Sequence, residues 1–234
     1  MLETKFGSGK AVQRVEVDRL LRGQGLYVDD ATAAGTKHVC FVRSPYASAD
    51  ILSVDTSTAQ QAAGVHLVLT GADLLAAGVP AMAKPINFKR PDGSPLQTPE
   101  RHLLATTRVR FVGEPVAVVV ADSIAQAQAA AELVEVSYEP RPVAADMAQA
   151  LASDAPLLAD GPDNICAQTH FGDTAAVNEA FAKAAHVTSL DIQHQRLAAI
   201  TIEPRNSIAS VLDWSRGIQG GCHASSQSSY AVQW

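Results

Sequence analysis

Cysteine and charge are both scarce in this sequence, and each shortage removes a class of protein. Only three of the 234 residues are cysteine. An odd number that small cannot close a disulfide framework, and it fits a reducing compartment better than a secreted one. No CxxC pair, HExxH or His-x3-His accompanies the seven histidines, so a zinc site has no spacing to rest on. Cys222 and His223 are neighbours on an expected strand, where adjacent side chains point to opposite faces and cannot share an ion. Charged residues make up 18% of the chain, against a usual share of roughly 25%. The net charge of −6, from 18 basic and 24 acidic residues without long runs, leaves no electrostatic footprint for nucleic acid or an anionic membrane. No segment reaches the roughly 18 uninterrupted apolar residues of a spanning helix. The opening MLETKFGSGK lacks the apolar core of a secretory signal.

What is present is a chain that is 47% hydrophobic, with short alanine runs such as Ala129-Ala130-Ala131 that suit packed helices. A chain of this length buries about 70% of the surface its unfolded form exposes. The expectation is a soluble, cytoplasmic α+β chain of one large or two modest domains.

Residues 1–18 read as an extended arm. His38 to Arg43, rich in β-branched and aromatic residues, reads as a strand stopped by Ser44-Pro45. Asp50 to Asp55 alternates as a second strand, and Thr56 or Ser57 caps a short helix before Gly64. Val65 to Leu69 is a third strand, and Asp73 to Ala77 a short helix closed by Gly78. Residues 80–101 hold five prolines and Gly93, too much punctuation for regular structure. Then come a strand at Arg108 to Val112, a break at Gly113-Glu114-Pro115, and the apolar run Val116 to Ala121. A helix capped by Asp122 or Ser123 leads through Leu133 to a strand at Val134 to Tyr138. Strand, helix and strand in that order predict a crossover unit with its strands parallel. The unbroken apolar run predicts burial on both faces. Further helices are expected at Asp146 to Leu151 and, capped near Asp173, at Thr174 to Ala184. Strands are expected at 186–196, 199–203 and Ser207 to Leu212, with a hairpin turn at Ser215-Arg216-Gly217 and a partner strand at Ile218 to Ala224.

The obvious chemical motifs fail one by one. Gly7-Ser8-Gly9-Lys10 has Ala11 where a P-loop needs Ser or Thr for magnesium, and no strand precedes it. Arg22-Gly23-Gln24-Gly25 is half a dinucleotide fingerprint and is followed by Tyr27 and Val28 rather than a helix. No G-x-S-x-G elbow exists for a serine nucleophile. Ser225-Ser226-Gln227-Ser228-Ser229 has two readings: a polar loop, or a strand end whose planar Gln amide faces an oxo or amide group of a bound cofactor. The residues alone leave both open.

The order of segments adds a resemblance. RVEVDRLLRGQGLYVDD (14–30), HVCFVRSPYASADILSVDTSTAQQAAGVHLVLTGADL (38–74), RVRFVGEPVAVVVADSIAQAQAAAELVEVSYEPRP (108–142) and DNICAQTHFGD (163–173) occur in sequence. Together they resemble the N-terminal part of the large molybdopterin-binding subunit of the xanthine dehydrogenase and carbon monoxide dehydrogenase family, the molybdenum hydroxylases. The implied fold is α+β: an a/b hammerhead domain (a mixed sheet with a crossover helix) followed by an incomplete α/β molybdopterin-binding domain. The implied boundaries are an arm over 1–18, the hammerhead domain over 19–142, a connector over 143–162 and the start of the molybdopterin-binding domain over 163–234.

In that family a Ser/Thr-Ser/Thr-Gln motif brings a Gln amide to the molybdenum site, and Ser225-Ser226-Gln227 is similar to it. The resemblance therefore marks Gln227 and Ser226 as cofactor-binding and assigns no catalytic residue and no metal ligand. The sequence departs just after, with Ser228-Ser229-Tyr230 where relatives often have Asn-Pro-His. Glu203 matches a family position expected to be structural, with a functional role as the alternative, and Glu114 and Arg43 are expected to be structural. The implied cofactor is molybdenum–molybdopterin, with the cytosine dinucleotide form as one candidate, and FAD and 2Fe-2S clusters are expected on partner subunits. The implied partners are the C-terminal remainder of the large subunit, an iron–sulfur small subunit and a FAD-binding medium subunit.

The implied reaction is hydroxylation of an aldehyde, a purine, another N-heterocycle or carbon monoxide, with water as oxygen source. The family's catalytic glutamate lies far beyond position 234, so this chain alone is expected to be inactive. The rival expectation is a non-catalytic interaction module that docks redox partner subunits.

Overall fold

The computed structural model describes residues 14–26, 28–30, 34–82, 90, 92–95, 100–158, 163–165, 167–168, 170–192, 194, 197, 206–211 and 220–224. Contacts divide the chain into two units, residues 35–188 and residues 1–34 with 189–234.

The first unit is built on six strands, β1 (His38–Arg43), β2 (Ala49–Asp55), β3 (Val65–Thr70), β4 (Arg108–Val109), β5 (Pro115–Ala121) and β6 (Glu135–Pro140). They form two three-stranded sheets, ordered β1-β5-β3 and β4-β2-β6. The HVCFVR strand occupies the bounds its composition indicates, and β5 is the apolar run, with Val116, Ala117, Val119 and Ala121 fully buried. The fold is α+β, as the sequence indicates.

Strand pairing differs from expectation. Every pairing among the described residues is antiparallel. β5 and β6, read from the sequence as parallel neighbours joined by a crossover helix, lie in different sheets. The reason is steric and simple. β5 is flanked by β1 on one edge and β3 on the other, so both of its hydrogen-bonding edges are taken. β6 therefore pairs with β2, running from Ala49↔Pro140 to Asp55↔Glu135. The expected mixed sheet is two antiparallel ones.

The helix between them, α4 (Ile124–Ala131), lies across β1, β5 and β3. Its buried residues are Ala127 and Ala130, three apart and therefore on one face, and their small size lets the helix approach the sheet closely. Ala130 joins Ala59, Val68, Ala117, Val119 and Val134 in one core cluster. Ala49, Ala105, Val109 and Val116 form a second, and Val54 and Val136 pack against both, tying the two sheets together.

Ser123, not Asp122, caps α4: its hydroxyl accepts from the Gln126 N–H at 3.3 Å and donates to the Gln126 side chain at 2.8 Å. Replacing Ser123 with alanine is expected to cost about 1 kcal/mol. The measurement is the urea midpoint, which should fall with an unchanged m-value.

Three further helices are short: α2 (Ser57–Gln60), α3 (Gly71–Ala76) and α5 (Met147–Leu151). α3 begins earlier than the sequence reading placed it, because Thr70 and Asp73 form a capping box. The Thr70 N–H donates to the Asp73 carboxylate at 2.7 Å, and the Asp73 N–H to Thr70 Oγ1 at 3.4 Å. The strand expected at Arg108 to Val112 stops at Val109, because residues 110–114 turn back on themselves. α6 (Thr174–Lys183) is capped by Asp173, which accepts from the N–H groups of Ala175 and Ala176, and buries no residue.

In the second unit, α1 (Val17–Leu21) and a 3-10 turn at Val28–Asp30 are followed by a hairpin of β7 (Ser207–Val211) and β8 (Gly220–Ala224). The described residues between 186 and 197 form no strand, contrary to expectation; no ladder partner stands beside them. The expected strand at 199–203 and turn at 215–217 fall outside the described residues.

Candidate functional site

Three short stretches within the segments that carry the family likeness, RSPYA (43–47), VGEPVA (112–117) and YEP (138–140), meet at one corner. β1 ends at Arg43, and the chain must turn before β2; β5 begins just past Glu114, so these two ends lie side by side. The Gly113 N–H donates to the Ser44 carbonyl at 2.8 Å, and the Ser44 N–H returns a bond to the Glu114 carbonyl at 2.9 Å. Arg43 adds a guanidinium bond to the Gly113 carbonyl at 2.8 Å. Gly113 has φ +87°, a conformation glycine adopts without strain, and this lets both of its backbone groups face Arg43 and Ser44.

The Ser44 side chain is 2% exposed. Its hydroxyl accepts from the Tyr46 N–H at 3.0 Å and donates to the Tyr46 carbonyl at 3.1 Å. That bond sets Tyr46 against Tyr138 of the third motif, ring centroids 5.2 Å apart and tilted by 56°. Burial pushes the Tyr138 phenol up from its ordinary value. The Glu114 carboxylate accepts the Arg110 N–H and so closes the 110–114 turn. On the far side, Arg108 donates to Ser48 Oγ at 3.1 Å, and Arg141 pairs with Asp50 at 2.6 Å.

A second node ties the proline-rich excursion to the DNICAQTHFGD segment. One nitrogen of Arg90, a side chain only 14% exposed, reaches both Asp163 oxygens at 2.8 Å and the Ile165 carbonyl at 3.1 Å. The Ile165 N–H, then Arg90, hold the Asp163 carboxyl below its usual range. Asn164 accepts from Leu158 N–H at 2.8 Å and donates to the carbonyls of Ala150 and Pro156 at 2.9 and 3.0 Å. Sequence reasoning quoted this segment only for its likeness and missed its role as a fastening. The visible signal was an Asp-Asn pair, whose side chains bond local backbone.

A third cluster stands at the end of the β1-β5-β3 sheet, where Asp122 Oδ1 meets Lys37 and, at 2.7 Å, His66 Nε2. Lys37 and then His66 draw the Asp122 carboxyl down to about 2. A depressed carboxyl contributes stability above its unfolded value near 3.8, and that contribution disappears as pH falls through about 2. Acid unfolding of Asp122→Asn should therefore show a flatter decline between those values than the parent chain, measured by circular dichroism against pH.

The Glu114 carboxylate is engaged by backbone, and among the described residues no group of three or more His, Cys, Asp or Glu is placed to hold a metal ion. Arg43 and Glu114 lie in the corner as scaffolding. Gln227 and Ser226, with Glu203, lie outside the described residues.

Residues 22–142 match the family described as aldehyde oxidase and xanthine dehydrogenase, a/b hammerhead domain. The chain is 40% identical over 211 residues to the nicotine 6-hydroxylase large subunit of Paenarthrobacter nicotinovorans, a match covering 88% of this chain and 24% of that one. Among solved structures, quinoline 2-oxidoreductase from Pseudomonas putida 86 aligns with a TM-score of 0.74 and 36% identity, over 87% of this chain and 25% of that one. A Cu,Mo-CO dehydrogenase aligns with a TM-score of 0.61 and 37% identity, over 75% and 22%. The chain thus spans about a quarter of the length of these relatives.

Proposed function

Because the chain belongs to the aldehyde oxidase and xanthine dehydrogenase family, whose a/b hammerhead domain it carries at residues 22–142, we propose that it serves as the N-terminal portion of a molybdenum hydroxylase large subunit. The observation that carries this reading is the corner at Ser44, Gly113 and Tyr138, where three stretches of the segments that carry the likeness close on one another. The division of labour follows from the chemistry of the described residues. Among the described residues no group of three or more His, Cys, Asp or Glu is placed to hold a metal ion; we assign them no chemical step, and the part we give them is to hold shape.

The hammerhead domain is proposed over 19–142 and the start of the molybdopterin-binding domain over 163–234. Ser226 and Gln227 are proposed to contact the cofactor, which would supply oxidative hydroxylation with water as the oxygen source; the catalytic base is proposed to lie in polypeptide outside residues 1–234. The names of two relatives, a nicotine hydroxylase and a quinoline oxidoreductase, favour an N-heterocycle as the substrate class. The proposed partners are iron–sulfur and FAD-binding subunits, and the cytosine dinucleotide form of the pterin and a cytoplasmic location belong to the same reading.

The test is to co-express the chain with the part of the P. nicotinovorans nicotine 6-hydroxylase large subunit that lies outside the match, then to measure molybdenum in the co-purified pair. Metal in the stoichiometric pair, and none with either chain alone, is the expected result. A stable pair without molybdenum would sink the proposal.

A further inference from the structure

An antiparallel sheet with one face on its core normally turns polar side chains outward. The β1-β5-β3 sheet does not. Its inward positions, Val68, Ala117 and Val119, pack with Ala130 of α4 in one cluster. Its outward positions line up in two registered rows, Val39–Val120–Leu67 and Phe41–Val118–Leu69, all six apolar. Val39, Phe41 and Leu67 are 47%, 43% and 45% exposed. Phe41 and Val118, with Leu74, Leu103 and Leu104, continue into an open groove of about 380 Å³ whose one charged lining residue is Arg43. The sequence pattern of β5 is that of a strand covered on both faces; Val116 is covered by Ala49, Ala105 and Val109, whereas among the described residues the rows through Val118 and Val120 stay partly exposed at Val39, Phe41 and Leu67.

We infer that this outward face is the seat of further large-subunit polypeptide, an apolar segment carrying a carboxylate that meets Arg43. The inference rests on the reading of the chain as part of a large subunit. Arg43 supplies the argument from charge. Its guanidinium lies over the Phe41 ring at 5.5 Å and bonds the Gly113 carbonyl, and no carboxylate pairs with it among the described residues. Covering the groove without an acid would bury that cation unpaired, at considerable cost. A second copy of this chain does not meet the need. A two-fold contact opposes a patch to itself, and neither the six outward positions nor the groove lining contains a carboxylate. The relatives hold about three quarters of their length outside the matched region, ample polypeptide to form a covering layer.

Hydroxyl-radical footprinting tests this on the full chain, alone and in the co-expressed pair described above. The expected result is oxidation of Phe41 and Leu103 in the chain alone and its loss in the pair, while Leu52 on β2, 62% exposed, stays oxidised in both. Leu103→Asp should weaken the pair more than about tenfold in Kd, with Leu52→Asp neutral and both variants folded by circular dichroism. A pair that forms and acquires molybdenum with Phe41 and Leu103 still oxidised overturns this inference and leaves the large-subunit reading standing. A pair that never forms overturns both. Protection of the same residues in the chain alone, with a dimeric mass by light scattering, assigns the face to a second copy and overturns the inference as well.

Discussion

Valine in place of Gly71 is expected to destabilise the 35–188 unit by about 3 kcal/mol, the upper range for forcing atoms into a packed site. Gly71 is buried as the first residue of α3. A Cβ at that position would stand 2.5 Å from the Ala105 carbonyl oxygen and 3.0 Å from that of Leu104. Both neighbours are backbone, and neither is free to retreat. The Ala105 N–H donates to the Pro115 carbonyl at 2.8 Å, which fastens it to the head of β5, and Leu104 is 2% exposed. Alanine already meets the clash, and valine adds two methyl groups to it. Gly64 provides the contrast within the same unit. A Cβ there would meet the Gln126 side chain, which can swing aside, so its cost comes from the φ of +80° rather than from the wall. For a unit of this size, about 3 kcal/mol corresponds to a fall of roughly 6–12 °C in Tm, read by calorimetry.

The second large effect concerns activity. Under the proposed function, Gln227→Ala in the molybdenum-loaded pair should lower kcat/KM by about 10- to 100-fold, the consequence of losing one hydrogen bond to a charged or strongly polar group. Gln227→Glu is the more informative variant, because a carboxylate accepts but cannot donate. If the amide's N–H group is what the site uses, glutamate should be no better than alanine. Molybdenum content should stay unchanged in both variants while turnover falls. Turnover equal to the parent in Gln227→Ala would remove this residue from the site. Ser226 contributes a hydroxyl, and Ser226→Ala should cost less.

Much of the hammerhead unit was legible one element at a time. HVCFVR announces β1 by its β-branched and aromatic content, and Ser44-Pro45 ends it. Beyond the hammerhead domain, Asp146 and Asp173 cap the helices they precede. The family likeness was also legible, because RSPYA, VGEPVA and YEP keep their order along the chain. Strand partnership was not. The run Val116 to Ala121 reports that both faces of β5 are apolar, but says nothing of which strands occupy its edges, and that is why a parallel neighbour was expected where two antiparallel ones stand. Thr70-x-x-Asp73 has the spacing of a capping box, which sets the start of α3 at Gly71. The Arg90–Asp163 fastening joins residues 73 apart, and no local pattern predicts a pair across such a distance. Gln227 stands on its motif.

The strand order β1-β5-β3 has a further consequence for how the protein is made. On the ribosome, β1 and β3 emerge first, and the strand that must lie between them follows only after the proline-rich excursion. At elongation rates of about 5–20 residues per second the interval is on the order of seconds. Throughout it, the segments of β1 and β3 lack the strand with which each of them pairs, and an unpaired strand edge is a template for wrong pairing. Nascent chains stalled inside that window are the species a chaperone would need to recognise, and the sheet closes only when Val116 to Ala121 clears the exit tunnel.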